Sequence, residues 1–380
     1  MESEIRILFC GGGSGGHINP LVAVAEILQD TRGQLPGKIT MHWFGSLDQY
    51  SREFARVPVA IHPILTGKLR RYFSLQNFID IPKFFVGLIQ AWWKMFLLMP
   101  DVIFSKGGPG ALPVVLCGWF YRIPIVIHES DSVPGLTTLL TARFAKKIIL
   151  SFEAARQYFD SRKVLILGNP VRRSFQEKRI TQEAAKESLG FNPGEPVLLV
   201  LGGSQGAQRI NRFVALNLKE FLTETQILHQ AGTGDFLDTK KLSEAVLIDL
   251  PVKTEVEHRY SLVPYFEEKK LTEALSAADV VLARSGSGTL FEIAPFGTPS
   301  VLVPLDESAK DHQRSNAYIF AGGGGAIVIE EENLNAQTFV HELKKILSNP
   351  TVRDNMSRSA LQFAKPRAAE EIAKQILQLV

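Results

Sequence analysis

The sequence predicts an α/β protein made of two doubly wound parallel-sheet domains in tandem. Three observations predict it. Short apolar runs alternate with helical stretches along the whole chain. Most of those runs are continuously apolar rather than alternating, which is how strands buried on both faces read. A strand, a Gly-rich turn and a helix occur at IRILFCGGGSGGHINPL and again at PVLLVLGGSQGAQRIN, with Gly202 standing 191 residues after Gly11 in a chain of 380.

Taken in order, the strand candidates are ILFC, ITMHWFG, DVIFS, IPIVIHE, KKIILS and VLILG, then VLLVLGG, QILHQAG, DVVLARSG, SVLVPL and AIVIE. Helices such as Pro20–Asp30 and Phe213–Thr223 fall between them. LGNPVRR interrupts regular structure, because Gly168, Asn169 and Pro170 break any element. This puts the domains at residues 1–167 and 168–365. Residues 366–380 form a closing segment: Arg367–Val380 reads as an amphipathic helix with Ile372, Ile376 and Val380 on one stripe. It packs on its own domain or crosses back to the first.

A balance of 45% hydrophobic and 21% charged residues is that of a folded protein. The formal net charge of +3 is too small for a nucleic-acid binder. It is unevenly spread: residues 1–167 carry 18 Lys/Arg against 12 Asp/Glu, and the rest 24 against 27. A basic first half suits an anionic partner, a lipid surface or phosphates. Two cysteines, Cys10 and Cys117, make no disulfide framework and fit a reducing compartment. The start of the sequence has no basic segment followed by a long apolar one, so no secretory signal is expected. The longest apolar candidate, Phe84–Met99, is broken by Lys94, so no membrane-spanning helix is expected either.

Chemistry-bearing residues collect just after strands, in GGGSGGH, SKGGPG, HESDSVPG, GNPVR, GGSQGAQ, HQAGTGD and RSGSGT. In open parallel sheets that carboxyl edge is where ligands bind. Gly11, Gly13 and Gly16 satisfy G-x-G-x-x-G, whose glycines let backbone N–H groups approach phosphates at a helix N-terminus. A nicotinamide site also needs an acidic residue ending the second strand, and this one ends Trp43-Phe44-Gly45. The turn therefore reads as a phosphate cradle. His17 follows it, as a phosphate donor or a general base near neutral pH. In the second cradle Ser204 bonds a phosphate or caps the next helix. Ser285 to Thr289 form a third Gly/Ser turn. Glu292, expected in the first turn of the helix beyond, complements the helix dipole or accepts two hydrogen bonds from a ribose diol. No D-x-D motif, zinc spacing, G-x-S-x-G elbow or Walker lysine occurs, so no metal or cofactor is expected. A diphosphate leaving group then needs helix dipoles and an arginine, for which Arg172 is the candidate. Lys68–Met99 interleaves Phe73, Phe78, Phe84, Phe85, Trp92 and Trp93 with Lys68, Arg70, Arg71, Lys83 and Lys94. That mixture suits an interfacial membrane patch or a buried helix with solvated charges.

GGGSGGHINPLVAVAE, HESDSVPG, GNPVR, GGSQGAQRIN and RSGSGTLFEI followed by DHQRSNA together resemble the MurG family of bacterial glycosyltransferases. The motifs run in family order from Ile7 to about Ala317; the tail resembles the family only in character. The resemblance implies a GT-B fold, two Rossmann-like domains facing across a cleft, with acceptor and membrane on the first and UDP-GlcNAc on the second. It implies inverting transfer of GlcNAc from UDP-GlcNAc to the C4 hydroxyl of the MurNAc of lipid I, giving lipid II at the cytoplasmic face of the plasma membrane. By motif, Ser14, Gly15 and Gly16 match the loop near donor sugar and acceptor pyrophosphate. Arg172 and Ser204 match donor-binding positions, Glu292 the residue holding the ribose hydroxyls, Thr289 a diphosphate contact and Gln313 a donor-sugar contact. Phe266, in VPYFEE, matches a backbone contact to uracil. Two positions depart from the family. His128-Glu129-Ser130-Asp131 has Asp131 where the family commonly has Asn; it keeps an acceptor for the sugar and competes with His17 as base. Gly288 stands where bulkier apolar residues are frequent.

Two other functions compete. A UDP-GlcNAc 2-epimerase shares fold and nucleotide but calls for extra carboxylates at the C2 side of the sugar. A non-catalytic nucleotide-sugar-binding protein has no need of His17, Arg172 and Glu292 together. The aromatic–basic segment and the HESDSVPG loop favour the transferase.

Overall fold

The computed structural model of the chain describes residues 4–12, 15–31, 37–46, 54, 56–67, 76–108, 110–175, 180–203, 206–248, 258–306 and 311–380. The chain divides into two compact units, Met1–Arg173 with Lys365–Val380, and Ser174–Ala364. Residues 168–173, expected with the second domain, group with the first unit, as do residues 366–380.

The first unit holds seven parallel strands: β1 (Glu4–Cys10), β2 (Lys38–Gly45), β3 (Val59–Pro63), β4 (Val102–Ser105), β5 (Ile125–Glu129), β6 (Lys147–Leu150) and β7 (Val164–Ile166). Their order across the sheet is β3-β2-β1-β4-β5-β6-β7. The chain winds outward from β1 to β3, then returns to the other side of β1. β1 and β4 therefore flank the point where the winding reverses, and loops leaving their carboxyl ends diverge around a crevice. Ile7, Leu8, Phe9 and Cys10 are all fully buried, because helices cover both faces. Phe9, Trp43 and Phe104 pack under Leu21, Val24 and Leu28 of the helix Gly15–Asp30. On the opposite face Leu8, Ile103 and Ile127 meet Val114 and Val115 of Ala111–Phe120, and Ala91 and Met95 of Gln76–Leu98.

The second unit repeats the plan with β8 (Val197–Leu201), β9 (Gln226–Gln230), β10 (Tyr260–Val263), β11 (Val280–Ala283), β12 (Ser300–Leu302) and β13 (Ala326–Val328). Its parallel order is β10-β9-β8-β11-β12-β13, with the reversal between β8 and β11. One detail recurs at the amino edge of both sheets. Asp101, before β4, accepts from Arg6 N at 2.7 Å and donates its own N–H to Arg6 O at 2.8 Å. Asp279, before β11, does the same with Val197 at 2.8 and 2.9 Å.

Every strand expected from sequence forms. β3 and β10 were not expected. Both are edge strands: β3 exposes Ala60 and Ile61 and ends in Pro63, and β10 is only half-buried, so neither has a continuous apolar run. Phe213–Thr223 is two helices, Gln208–Leu216 and Leu218–Glu224, broken at Asn217, whose side-chain amide donates to Phe213 O at 2.7 Å. The closing helix is Ala368–Leu377. Ile372 and Ile376 are fully buried in the first unit's core, while Val380 lies beyond the helix and is 46% exposed. Gln76–Leu98 is longer than its unbroken apolar run suggested: Asp80–Leu98 is long and apolar enough to cross a membrane by length and composition. It is nonetheless built into the unit, with Ala91 and Met95 fully buried. Of the aromatic–basic segment, Lys68, Arg70, Arg71 and Phe73 lie outside the described residues, as does the side chain of Phe78.

Candidate functional site

In the first unit the carboxyl-edge loops touch one another. Gly12 follows β1, and the helix beginning at Gly15 presents Gly16 exposed and His17 half-buried on its first turn. Ser14 lies outside the described residues. Gly108, in the loop after β4, has φ +84°, and a Cβ there would stand 2.5 Å from Gly12 O and 3.4 Å from the His17 ring. Only a glycine lets these two turns approach so closely. The Trp43 indole donates to Gly11 O at 3.2 Å and fixes the first turn from β2.

Lys106 connects the loop after β4 to the next. It is 3% exposed, and its Nζ donates to Ser130 Oγ at 2.8 Å. Glu129, also buried, folds the corner beyond β5: its carboxylate accepts from Asp131 N and from Gly135 N, each at 3.1 Å. Asp131 is half-buried. Burial pushes the Glu129 carboxyl up and neighbouring Asp131 adds to this, while Lys106 opposes it. Burial pulls the Lys106 ammonium below its ordinary range, and Glu129 and Asp131 pull it back. His128 points the other way. Its Nε2–H donates to Gly168 O at 3.0 Å, tying in the loop that carries the buried Arg172. Burial and the Lys106 charge hold His128 neutral, well below the usual histidine range. His17, Asp131 and Arg172 thus share one edge.

The second unit carries two groups of loops. Gly202 and Gly206 bound the turn after β8; Ser204 lies outside the described residues. The helix beyond starts at Gln208 with Ala207 at its N-cap, so the cap position is not Ser204's. A Cβ at Gly206, φ +99°, would stand 2.4 Å from Asp235 Oδ2. Asn211 Nδ2 donates to Ala231 O at 2.8 Å and to Asp235 Oδ2 at 3.2 Å, stapling this turn to the one after β9. Its Oδ1 accepts from His229 Nε2–H at 3.0 Å, and His229 Nδ1 faces the Tyr260 hydroxyl at 3.1 Å. Burial takes His229 down to about 3 and Tyr260 up to about 12. Phe266, buried, donates its N–H to Gln230 Oε1 at 3.0 Å.

The other group surrounds β11. The helix Ser287–Ile293 starts earlier than expected, with Gly286 at its N-cap, so Ser287, Gly288 and Thr289 are its first turn and Glu292 sits in the second. A carboxylate there is too far along to complement the amino-terminal dipole, which acts within the first turn. Thr289 and Glu292 are half-buried. Gln313 opens the helix His312–Gly322. Its Oε1 accepts from Leu305 N at 3.2 Å and its carbonyl from Ser285 Oγ at 2.7 Å, so the carboxamide is oriented by its oxygen. Arg284 donates to Val303 O and Pro304 O and pairs with Glu331, which also pairs with Arg209 at 2.6 Å. Glu331, 3% exposed at its side chain, thus joins the two groups. Among the described residues no group of three His, Cys, Asp or Glu is placed to hold a metal ion.

Lys106, Asn211 and Glu331 escaped the sequence reading. The first two stand inside quoted motifs, where glycines and serines drew the attention; Glu331 has no motif.

Residues 7–150 match the glycosyltransferase family 28 N-terminal domain and residues 197–374 the glycosyltransferase family 28 C-terminal domain. The UDP-N-acetylglucosamine--N-acetylmuramyl-(pentapeptide) pyrophosphoryl-undecaprenol N-acetylglucosamine transferase of Legionella pneumophila (strain Lens) is 34% identical over 354 residues, 92% of this chain and 91% of that protein. The chain belongs to the MurG family. The crystal structure of Acinetobacter baumannii MurG superposes with a TM-score of 0.72 at 25% identity, covering 98% of this chain and 99% of that one. The fold extends beyond the MurG family: UDP-GlcNAc 2-epimerase from Neisseria meningitidis, bound to UDP-GlcNAc, gives 0.68 at 14% identity over 99% and 100% of the two chains. The chain is a GT-B N-acetylglucosaminyltransferase by family and fold.

Proposed function

We propose that this MurG-family chain transfers GlcNAc from UDP-GlcNAc to the C4 hydroxyl of the MurNAc of lipid I, releasing UDP and giving lipid II. The observation that carries this is the 34% identity to a named transferase over nearly the whole of both chains. Nucleotide sugar enters through the second unit. Glu292 accepts from the ribose hydroxyls, the Phe266 carbonyl accepts from uracil N3–H, and Gln313 donates to the sugar. Thr289, Ser204 and Arg172 meet the diphosphate, whose charge grows as the C1–O bond breaks. In the first unit Gly15 and Gly16 offer helix N-terminal amides to the acceptor pyrophosphate, with Ser14 next to them in sequence. His17 takes the C4 hydroxyl proton as that oxygen attacks C1 from the face opposite UDP, which inverts the anomeric centre. Asp131 orients the sugar as an acceptor and is the alternative base.

The enzyme works peripherally at the cytoplasmic face of the plasma membrane. Phe85, Ile89, Trp92, Trp93 and Phe96 lie on one side of Gln76–Leu98 and are each 44–67% exposed, next to exposed Trp119 and Phe120 of Ala111–Phe120. Such a stripe suits the acyl boundary where a polyprenyl acceptor resides, and Lys83, with Lys68, Arg70 and Arg71 nearby in sequence, supplies positive charge for anionic head groups. Incubation of the full chain with radiolabelled UDP-GlcNAc and a lipid I analogue tests the activity. Label in the lipid product with stoichiometric UDP is expected. Acceptor-independent conversion to UDP-ManNAc would establish an epimerase instead.

A further inference from the structure

We propose that Lys106 is a positioning residue of the first unit's site, its buried ammonium being the countercharge that holds the Ser130–Asp131 corner in place. This rests on the reading that Asp131 meets the sugar. A buried ammonium is stable only beside anions and hydrogen-bond acceptors. Lys106 follows β4 at the point where the sheet winding reverses, and its own N–H donates to Cys10 O at 2.9 Å. Its Nζ reaches across to Ser130 Oγ at 2.8 Å. The charges acting on it are those of Glu129 and Asp131. Both backbone N–H groups that shape the corner, of Asp131 and Gly135, donate to the Glu129 carboxylate, which favours its ionised form there. Two adjoining carboxylates repel unless a cation lies between them or one takes a proton. His128 does not serve, because burial holds it neutral and its Nε2–H is spent on Gly168 O. Lys106 is therefore the cation of this corner. Its loop also abuts the His17 turn, since the space at Gly108 is shared with Gly12 and His17. The loop that carries Lys106 thus touches both the His17 turn and the Ser130–Asp131 corner.

A double-mutant cycle tests it. Wild type, Lys106→Met, Asp131→Asn and the double variant are compared as full chains for kcat, for both KM values, for calorimetric binding of the lipid I analogue, and for the urea unfolding midpoint. Lys106→Met is expected to lower kcat about 10-fold or more beside the native Asp131, and about 3-fold or less in the Asp131→Asn background, where there is no second carboxylate to neutralise. KM for UDP-GlcNAc is expected to stay within about 2-fold. If Asp131→Asn abolishes turnover, the same cycle is read in binding of the acceptor analogue. Equal losses in both backgrounds, or coupling confined to the unfolding midpoint, would overturn the proposal. Should Lys106→Met fail to fold, Lys106→Gln replaces it, since it keeps a donor for Ser130 without the charge; full activity in that variant overturns the proposal as well. A wild-type chain that makes no lipid II refutes the transferase reading, whereas an active wild type without coupling refutes only the role of Lys106.

Discussion

Glu292 and His17 have different jobs, and single substitutions separate them. Glu292→Ala is expected to weaken UDP binding by about 1.5–3 kcal/mol, the range for hydrogen bonds to a charged group. Calorimetry with UDP reads this directly, and unchanged affinity in a folded variant removes Glu292 from the ribose. His17→Ala is expected to lower kcat by about 10²–10⁴-fold with UDP affinity intact, the usual contribution of a general base. Near wild-type turnover excludes it, and an equal loss in Asp131→Asn alone moves the assignment there. Both residues stood in readable motifs. What the motifs did not give was Glu292's exact turn, because a Gly/Ser run reads as loop even where Ser287 already starts a helix. The buried histidines set an acid limit on stability. His229 and His128 have folded pKa values below their unfolded ones, so the unfolded chain binds more protons as pH falls below about 6.5. Their contribution is fully present above that pH and lost on acidification, at up to about 1.4 kcal/mol per pH unit for each histidine. Glu129, pushed up, acts in the opposite sense on a single group. Urea midpoints should therefore fall between pH 7 and pH 5; a flat profile contradicts the neutral buried state of both rings.

At the scale of elements, glycines decide which loops meet. Gly108→Ala puts a Cβ 2.5 Å from the Gly12 carbonyl in a left-handed conformation, so backbone must move on one side or the other. The expected cost is about 1–3 kcal/mol in unfolding free energy, with a loss of transferase activity larger than the fraction unfolded explains. Wild-type stability and turnover in that variant would show that the turns do not need each other. Gln76–Leu98 carries the second expectation. Co-sedimentation with anionic vesicles should occur at low salt, weaken as salt rises, and drop sharply in Trp92→Ser/Trp93→Ser, while neutral vesicles bind less. If wild type ignores anionic vesicles, the exposed stripe is not an interfacial surface. Buried strands were legible because both faces demand apolar residues. The edge strands β3 and β10 were not, since one side of each is half-wet and their pairing is settled by neighbours such as Met41–Gly45 and Ile227–Gln230. Charge–composition reading found the aromatic segment but not its exposure, for a helix buried on one stripe and bare on the other has the same composition as one buried all round.

At the scale of the whole molecule, the two units are variations on one winding, down to the aspartates that pin β4 to β1 and β11 to β8. The offset between Gly-rich turns announced this duplication. The return of the closing segment did not follow, because an amphipathic stripe of Ile372 and Ile376 fits any apolar face. Its destination has a consequence for how the protein is made. Ile372, Ala373 and Ile376 complete the same core as Leu21, Val24 and Leu28, yet they are synthesised more than three hundred residues later. The second unit is continuous in sequence, while the first keeps one helix-sized gap over its sheet until residues 368–377 have been made. The first unit should therefore acquire protease resistance only once its closing helix is available, later than the second, although most of its residues are synthesised first.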